Sequence, residues 1–172
     1  MTGSERRAWL KAHLNGTTPI AGHELSQTLG VSRQVVVQDI ALLRAEGHPI
    51  ISTPRGYMIW EKPSGSIRQV LAVKHSDDPH IVRQELLTLV SHHVTVLNVI
   101  VAHPLYGELV GNLNLTSSDD VDNFLQTMQS QGAALLSQLT DGVHLHTVEG
   151  TPDNIARAKH ALQTIHILLQ PS

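Results

Sequence analysis

The chain has 172 residues, 41% of them apolar and none of them cysteine, which excludes disulfides and thiolate metal sites and suits a cytoplasmic protein. No apolar run approaches the roughly 20 residues that span a bilayer, and the opening MTGSERRAWLK lacks a signal peptide's apolar core, so a soluble intracellular protein is expected. The net charge of −3 is unevenly spread: residues 1–62 carry seven Lys/Arg against five Asp/Glu, residues 63–172 five against ten. Three of the 12 histidines fall in the first part and nine in the second. EKPSGS at 61–66 reads as a linker, so two domains are expected, 1–62 and 67–172.

In the first part, residues 4–15 read as a helix with Ser4 as N-cap and Leu10 and Leu14 on one face, ended by Asn15-Gly16. A second helix is expected over about 20–29, with Ile20, Leu25 and Leu29 apolar and Gly30 breaking it. Ser32 opens a third, where Val36, Ile40 and Leu43 recur at i, i+4 and i+7 and Gly47 stops the pattern. Ser26, Gly30 and Val31 are small enough for a tight turn between the second and third helices, the pattern of a helix-turn-helix. PIISTPRGYMIW then reads as two short strands around Thr53-Pro54-Arg55-Gly56, a hairpin with a basic tip. Three amphipathic helices alone would equally suit a small domain for protein contacts. The basic-tipped hairpin in this order favours DNA. Arg33, Gln34 and Gln38, on the outer side of the third helix, are the candidates for base edges, and Ser32 and Arg55 for phosphate.

The second part predicts the order βαββαβα: a strand over 67–75, a helix over 78–91 capped by Asp78 with Pro79 first, and strands over 93–103 and 105–115. A helix from about 119 to 130 follows, capped by Ser117 or Ser118, then a strand over 142–150 opened by Asp141-Gly142. Thr151 caps a last helix running to about Leu169. One sheet with helices on one face, an α+β two-layer sandwich, is the simplest layout. His144 and His146 sit two apart on a strand and so leave the same face. His75 and His103 end two other strands. Neutral imidazole is a common ligand of divalent transition metals, and Glu85 and Glu108 are candidate carboxylates. A polar sheet edge is the plainer reading of a His-x-His pair.

VSRQVVVQDIALLRAEG followed by PRGY resembles the winged helix-turn-helix at the N-terminus of many bacterial repressors, which implies DNA binding. VIVAHPLYGELVGNL and LSQLTDGVHLHTVEG together resemble the three-histidine (3H) domain. Joined, from about residue 5 to 170, they resemble the niacin-responsive transcriptional repressors of Gram-positive bacteria and Thermotoga. The resemblance implies a repressor of genes for NAD synthesis or niacin uptake, with nicotinic acid as co-repressor. It also implies an HPr-like second domain and a divalent metal (nickel, zinc, iron or manganese) held by histidines and a glutamate. Carried onto this chain, the ligands are His75, Glu85, His144 and His146, with Asp77, Asp78 and His80 as alternatives for completing the set. His103 and Tyr106 of HPLYGE go to the nicotinic acid pocket with Glu108, read as sharing the strand face of Tyr106. A dimer on palindromic operator DNA is the usual form of such repressors. The competing readings are a metal-sensing repressor, a metallohydrolase using the same residues, and a phosphocarrier-like partner domain.

Overall fold

The computed structural model describes residues 1–61, 63–132 and 134–170. The chain divides into two compact units, Met1–Pro63 and Ser64–Ser172. Of the expected domain ends, Lys62, Pro171 and Ser172 lie outside the described residues.

In the first unit, α1 (Gly3–His13) is capped by Thr2 rather than Ser4. The Thr2 hydroxyl accepts from the Glu5 backbone at 3.3 Å, and the Glu5 carboxylate accepts from the Thr2 backbone at 2.6 Å. This reciprocal box satisfies two donors at once, which Ser4 could not do. The helix ends at His13, before Asn15, because the Asn15 side chain accepts from the Thr17 and Thr18 backbones and folds the chain away. α2 (Gly22–Leu29) starts two residues later than expected. Ile20 is already engaged: it exchanges two 2.9 Å backbone bonds with Tyr57. α3 (Arg33–Ala45) begins at the Ser32 cap as read. β1 (Ile50–Thr53) and β2 (Gly56–Ile59) pair in register Ile50↔Ile59 to Thr53↔Gly56. Gly56 has φ +134°, and a Cβ there would meet the Ile20 carbonyl at 2.2 Å, so only glycine lets the hairpin lie against that segment. Leu10, Leu25, Val36 and Leu43 fill the core of this unit, each fully buried leucine contributing about 2 kcal/mol.

The second unit is built as β3 (Ile67–Lys74), α4 (Pro79–Ser91), β4 (Thr95–His103), β5 (Gly107–Leu115), α5 (Ser118–Gln131), β6 (Val143–Gly150) and α6 (Pro152–Thr164). This is the βαββαβα order, mixed α+β as expected. The sheet is antiparallel throughout, in the order β3-β6-β4-β5. Leu71, Val73, Val96, Leu113 and Val148 point to one face and are buried against Leu86 and Leu89 of α4, Val121 of α5 and Ile155 and Leu162 of α6. Asp78, Ser117 and Thr151 cap the three helices through their side chains. α6 stops at Thr164 rather than near Leu169. His166 takes φ +60°, and the chain turns to bond β3: the Lys74 backbone donates to Ile167 at 3.0 Å and Leu169 donates to Ala72 at 2.9 Å. The open edge of β3 thus outcompetes the last helical turn. A short 3-10 turn at Leu136–Thr140, which periodicity did not anticipate, precedes β6. Among the described residues no helix is long and apolar enough to cross a membrane.

Candidate metal centre and nucleic-acid interface

β6 runs beside β3 with Val73 opposite His144 and Leu71 opposite His146, so both histidines face the helix layer. α4 lays Glu85 beneath them, on the same buried stripe as Val82, Leu86 and Leu89. His75 follows the end of β3 and comes over the same point. His75, Glu85 and His144 present ligand atoms within 4.8 Å of one another. His75 Nε2 makes a very short contact with Glu85 Oε2, His144 Nε2 lies 3.3 Å from Glu85 Oε1, and His146 Nε2 lies 2.5 Å from the same oxygen.

The opposite ring nitrogens decide the chemistry. His75 Nδ1 lies 2.6 Å from the Ser76 carbonyl, His144 Nδ1 2.8 Å from that of Gly142, and His146 Nδ1 2.8 Å from that of Asn98. A carbonyl only accepts, so each Nδ1 carries its proton and donates. Each neutral ring then turns a lone pair on Nε2 toward the Glu85 carboxylate. Three lone pairs and an anion converging in a buried space repel unless a cation sits among them. His146 Nε2 is close to Glu85 yet has no hydrogen-bond geometry to any partner, an orphaned buried atom. The donor set of three imidazoles and one carboxylate, each ring oriented from behind by a carbonyl, fits a divalent transition metal.

Without a metal, protons take its place. Burial opposes charge on His75, but the hydrogen bond and charge of Glu85 outweigh it and raise the pKa. His146 behaves the same way: burial opposes, and the Glu85 charge prevails. Burial would raise Glu85, yet the charge of His146 and the hydrogen bonds with His144 and His75 hold its carboxyl well below its usual range.

Gly142 places this cluster. Its φ is +89°, and a Cβ there would lie 2.1 Å from the His75 carbonyl oxygen. The alternative ligands are engaged elsewhere. Asp78 caps α4 by accepting from the His80 backbone, Asp77 accepts from Gln138 at 2.7 Å, and His80 is exposed.

In the first unit, Ser32 accepts from the Val35 backbone at 3.3 Å and starts α3, and Gly30 at φ +65° makes the turn before it. Val36, Asp39, Ile40 and Leu43 face inward, leaving Ser32, Arg33, Gln34, Val37 and Gln38 exposed on one side of the helix. Arg55 is exposed at the hairpin tip, where its backbone donates to Thr53 Oγ1. A helix with exposed polar side chains at its N-terminal end, beside a basic-tipped hairpin, has the form of a recognition helix and wing.

The comparisons with known proteins agree. Residues 6–58 match an HTH domain and residues 68–171 the 3H domain. The chain is 43% identical over 135 residues to the probable transcription repressor NiaR of Thermotoga maritima, covering 78% of this chain and 75% of that one. It is 38% identical over 178 residues to the transcription repressor NadR of Bacillus subtilis, covering 99% and 96%. The chain belongs to the 3H-domain family of transcription repressors. It is not an enzyme.

Within this 3H domain, the structure does not join His103, Tyr106 and Glu108 to the buried cluster. A cavity of about 40 Å³ adjoins His75, Glu85, His144 and His146, and its other walls are apolar, including Val99, Phe124 and Leu136. His103 ends β4, and its Nδ1 accepts from the Leu105 and Tyr106 backbones, closing the β4–β5 turn. Tyr106 lies in that turn with its ring 5.1 Å from His103, and β5 starts only at Gly107. The expectation that Tyr106 and Glu108 share a strand face therefore fails: the Nδ1-bridged turn takes Tyr106 out of the ladder. Sequence reasoning missed the three carbonyl clamps. Asn98, a polar residue inside the run TVLNVIVAH, was the available signal for one of them.

Proposed function

We propose that this chain represses genes of NAD synthesis or niacin uptake. It binds operator DNA as a dimer when nicotinic acid and a divalent metal are bound. The observation that carries the metal part is the convergence of three Nε2 lone pairs on buried Glu85, each ring clamped by a carbonyl. His75, Glu85, His144 and His146 would hold the ion, which would supply a cationic anchor for the nicotinate carboxylate or ring nitrogen. The apolar walls of the adjoining cavity suit the pyridine ring. Arg33, Gln34 and Gln38 read base edges, and Ser32 and Arg55 meet phosphate. A repressor working on chromosomal DNA places the chain in the cytoplasm.

Calorimetric titration of nicotinic acid into the metal-loaded protein, and again after chelation, tests this reading. Tight binding that disappears with the metal is expected. Nicotinamide, lacking the carboxylate, should bind more weakly. Absence of heat with nicotinic acid in both samples overturns the co-repressor assignment.

One observation favours a second reading. A cavity of about 40 Å³ is small for an aromatic ring carrying a carboxylate, so nicotinic acid would need it to widen. In a metal-sensing repressor the ion alone is the signal. Metal titration against DNA affinity, with no small molecule present, separates the two.

A further inference from the structure

The helices cover one face of the second unit's sheet. The other face carries no helix of that unit and has an ordered side-chain pattern, legible from the register. Lys74 pairs with Val143 and Ala102 pairs with Glu108. Continuing the Ile100–Leu145 pairing by two residues sets Ala102 beside Val143. One row across all four strands therefore reads Lys74, Val143, Ala102, Glu108, all four exposed. The next row reads Ala72, Leu145, Ile100, Val110, entirely apolar, with Val110 55% exposed. Beyond the first row, at the β4–β5 turn, Leu105 and Tyr106 are 75% and 70% exposed. An apolar row across four strands, exposed at Val110 and half-buried at Ala72, Leu145 and Ile100, together with exposed Leu105 and Tyr106, marks a contact surface.

The charges say what covers it. Lys74 and Glu108 stand at opposite edges of one row, three strand spacings or roughly 14 Å apart, too far to pair with each other. A second copy of the same face brings them together. We propose that two copies of this chain pair sheet on sheet through this face, about a two-fold axis that runs along the strands between β6 and β4. That rotation lays β3 of each copy over β5 of the other and β6 over β4. Lys74 of one copy then meets Glu108 of the other, twice, and the apolar row packs on itself. Facing sheets sit about 10 Å apart, within reach of a lysine and a glutamate extended toward each other. The other in-plane axis, perpendicular to the strands, lays β3 on β3 and β5 on β5, so Lys74 cannot reach Glu108 and faces Arg68, whose charge is already matched by Glu149 at 3.1 Å. The charges thus select one of the two isologous arrangements. Four strands and three rows span an area of a few hundred Å², below the roughly 800 Å² per partner of a standard interface, so the dimer is expected to dissociate in the micromolar range.

The proposal names the surface for the dimer reading above and rests on it. Sedimentation equilibrium of the full-length, metal-loaded chain tests it with Lys74→Glu, Glu108→Lys and the double swap. Both side chains leave the sheet away from Glu85, so circular dichroism and metal content should match the unsubstituted protein. Each single change should weaken dimerisation at least about tenfold, because it creates two like-charge contacts per dimer, and the double swap should restore it. Single variants that dimerise like the unsubstituted chain overturn the surface and leave the dimer standing elsewhere. An unsubstituted chain that stays monomeric at every concentration overturns both the surface and the dimer, while nicotinic acid binding is decided separately by calorimetry.

Discussion

Asp39 in the first unit and Glu85 in the second are both almost completely buried carboxylates, 2% and 1% exposed. They are answered by opposite means. Arg6 Nε meets Asp39 Oδ2 at 2.7 Å and Arg7 meets Oδ1 at 3.3 Å. Guanidinium keeps its charge at any pH the protein meets, so this ion pair is complete in the chain itself and ties α1 to α3. Glu85 has only imidazoles, and their Nδ1 protons are committed to carbonyls. Its countercharge must come from outside, as protons or as a metal ion. A buried acid matched by arginine is a structural tie, whereas one matched by clamped histidines is conditional on what is bound. The conditional one lies in the domain that would receive a signal.

The comparison can be broken first at the ligands. His146→Ala should lower metal affinity at least about 100-fold, since ligand loss should exceed the effect of losing an outer partner. Competition with a chromophoric chelator measures it, and unchanged affinity would remove His146 from the site. Asp39→Ala comes next. It leaves Arg6 and Arg7 without their partner inside a packed contact, so the first unit should lose about 2 kcal/mol in urea denaturation. That loss should be the same with and without chelator, whereas the stability of the second unit should depend on metal. Smaller is Gly142→Ala, which removes no ligand. Its Cβ would press on the His75 carbonyl, so a loss of about tenfold in metal affinity is expected, in the range of an outer-partner change.

The last effect is a pH dependence whose sign differs with loading. In the chelated protein His75 and His146 have pKa values raised above 6.5, so their stabilisation is complete below that value and lost as pH rises through the folded values. Glu85 is depressed below 4.5, so its stabilisation is present above 4.5 and lost as pH falls through its folded value. The chelated second unit should therefore melt at a higher temperature near pH 6 than near pH 8. Loaded protein should show the reverse, because the ion competes with the same protons. Identical melting profiles with and without metal would mean that no ion occupies the cluster.

Much of this arrangement was readable from local signals. Ser32, Asp78 and Thr151 cap helices where the sequence places them, because a cap needs only its own side chain and a backbone donor two or three residues on. The period-two spacing of His144 and His146 likewise sufficed to put them on one strand face. Errors arose where a distant segment competed for the backbone. Ile20 bonds Tyr57 instead of starting α2, and Leu169 bonds Ala72 instead of extending α6. At Tyr106 the strand pattern gave way to a turn held by the His103 ring, a side-chain contact that periodicity does not register.

The amino-acid sequence by itself determined the element order and the helix-turn-helix with its hairpin, since propensity, capping and alternation act within a few neighbouring residues; alternation gave the His144–His146 pair, and the resemblance to the 3H domain implied His75 and Glu85 beside it. Only the tertiary structure decided that β6 lies between β3 and β4, which sets His144 and His146 over Glu85. It alone supplied the carbonyls of Ser76, Gly142 and Asn98 that commit every Nδ1 proton, and so turned three histidines into a site that calls for a cation. Strand order and hydrogen-bond direction depend on residues as far apart in the chain as Ile67 and Gly150, and no local pattern encodes them.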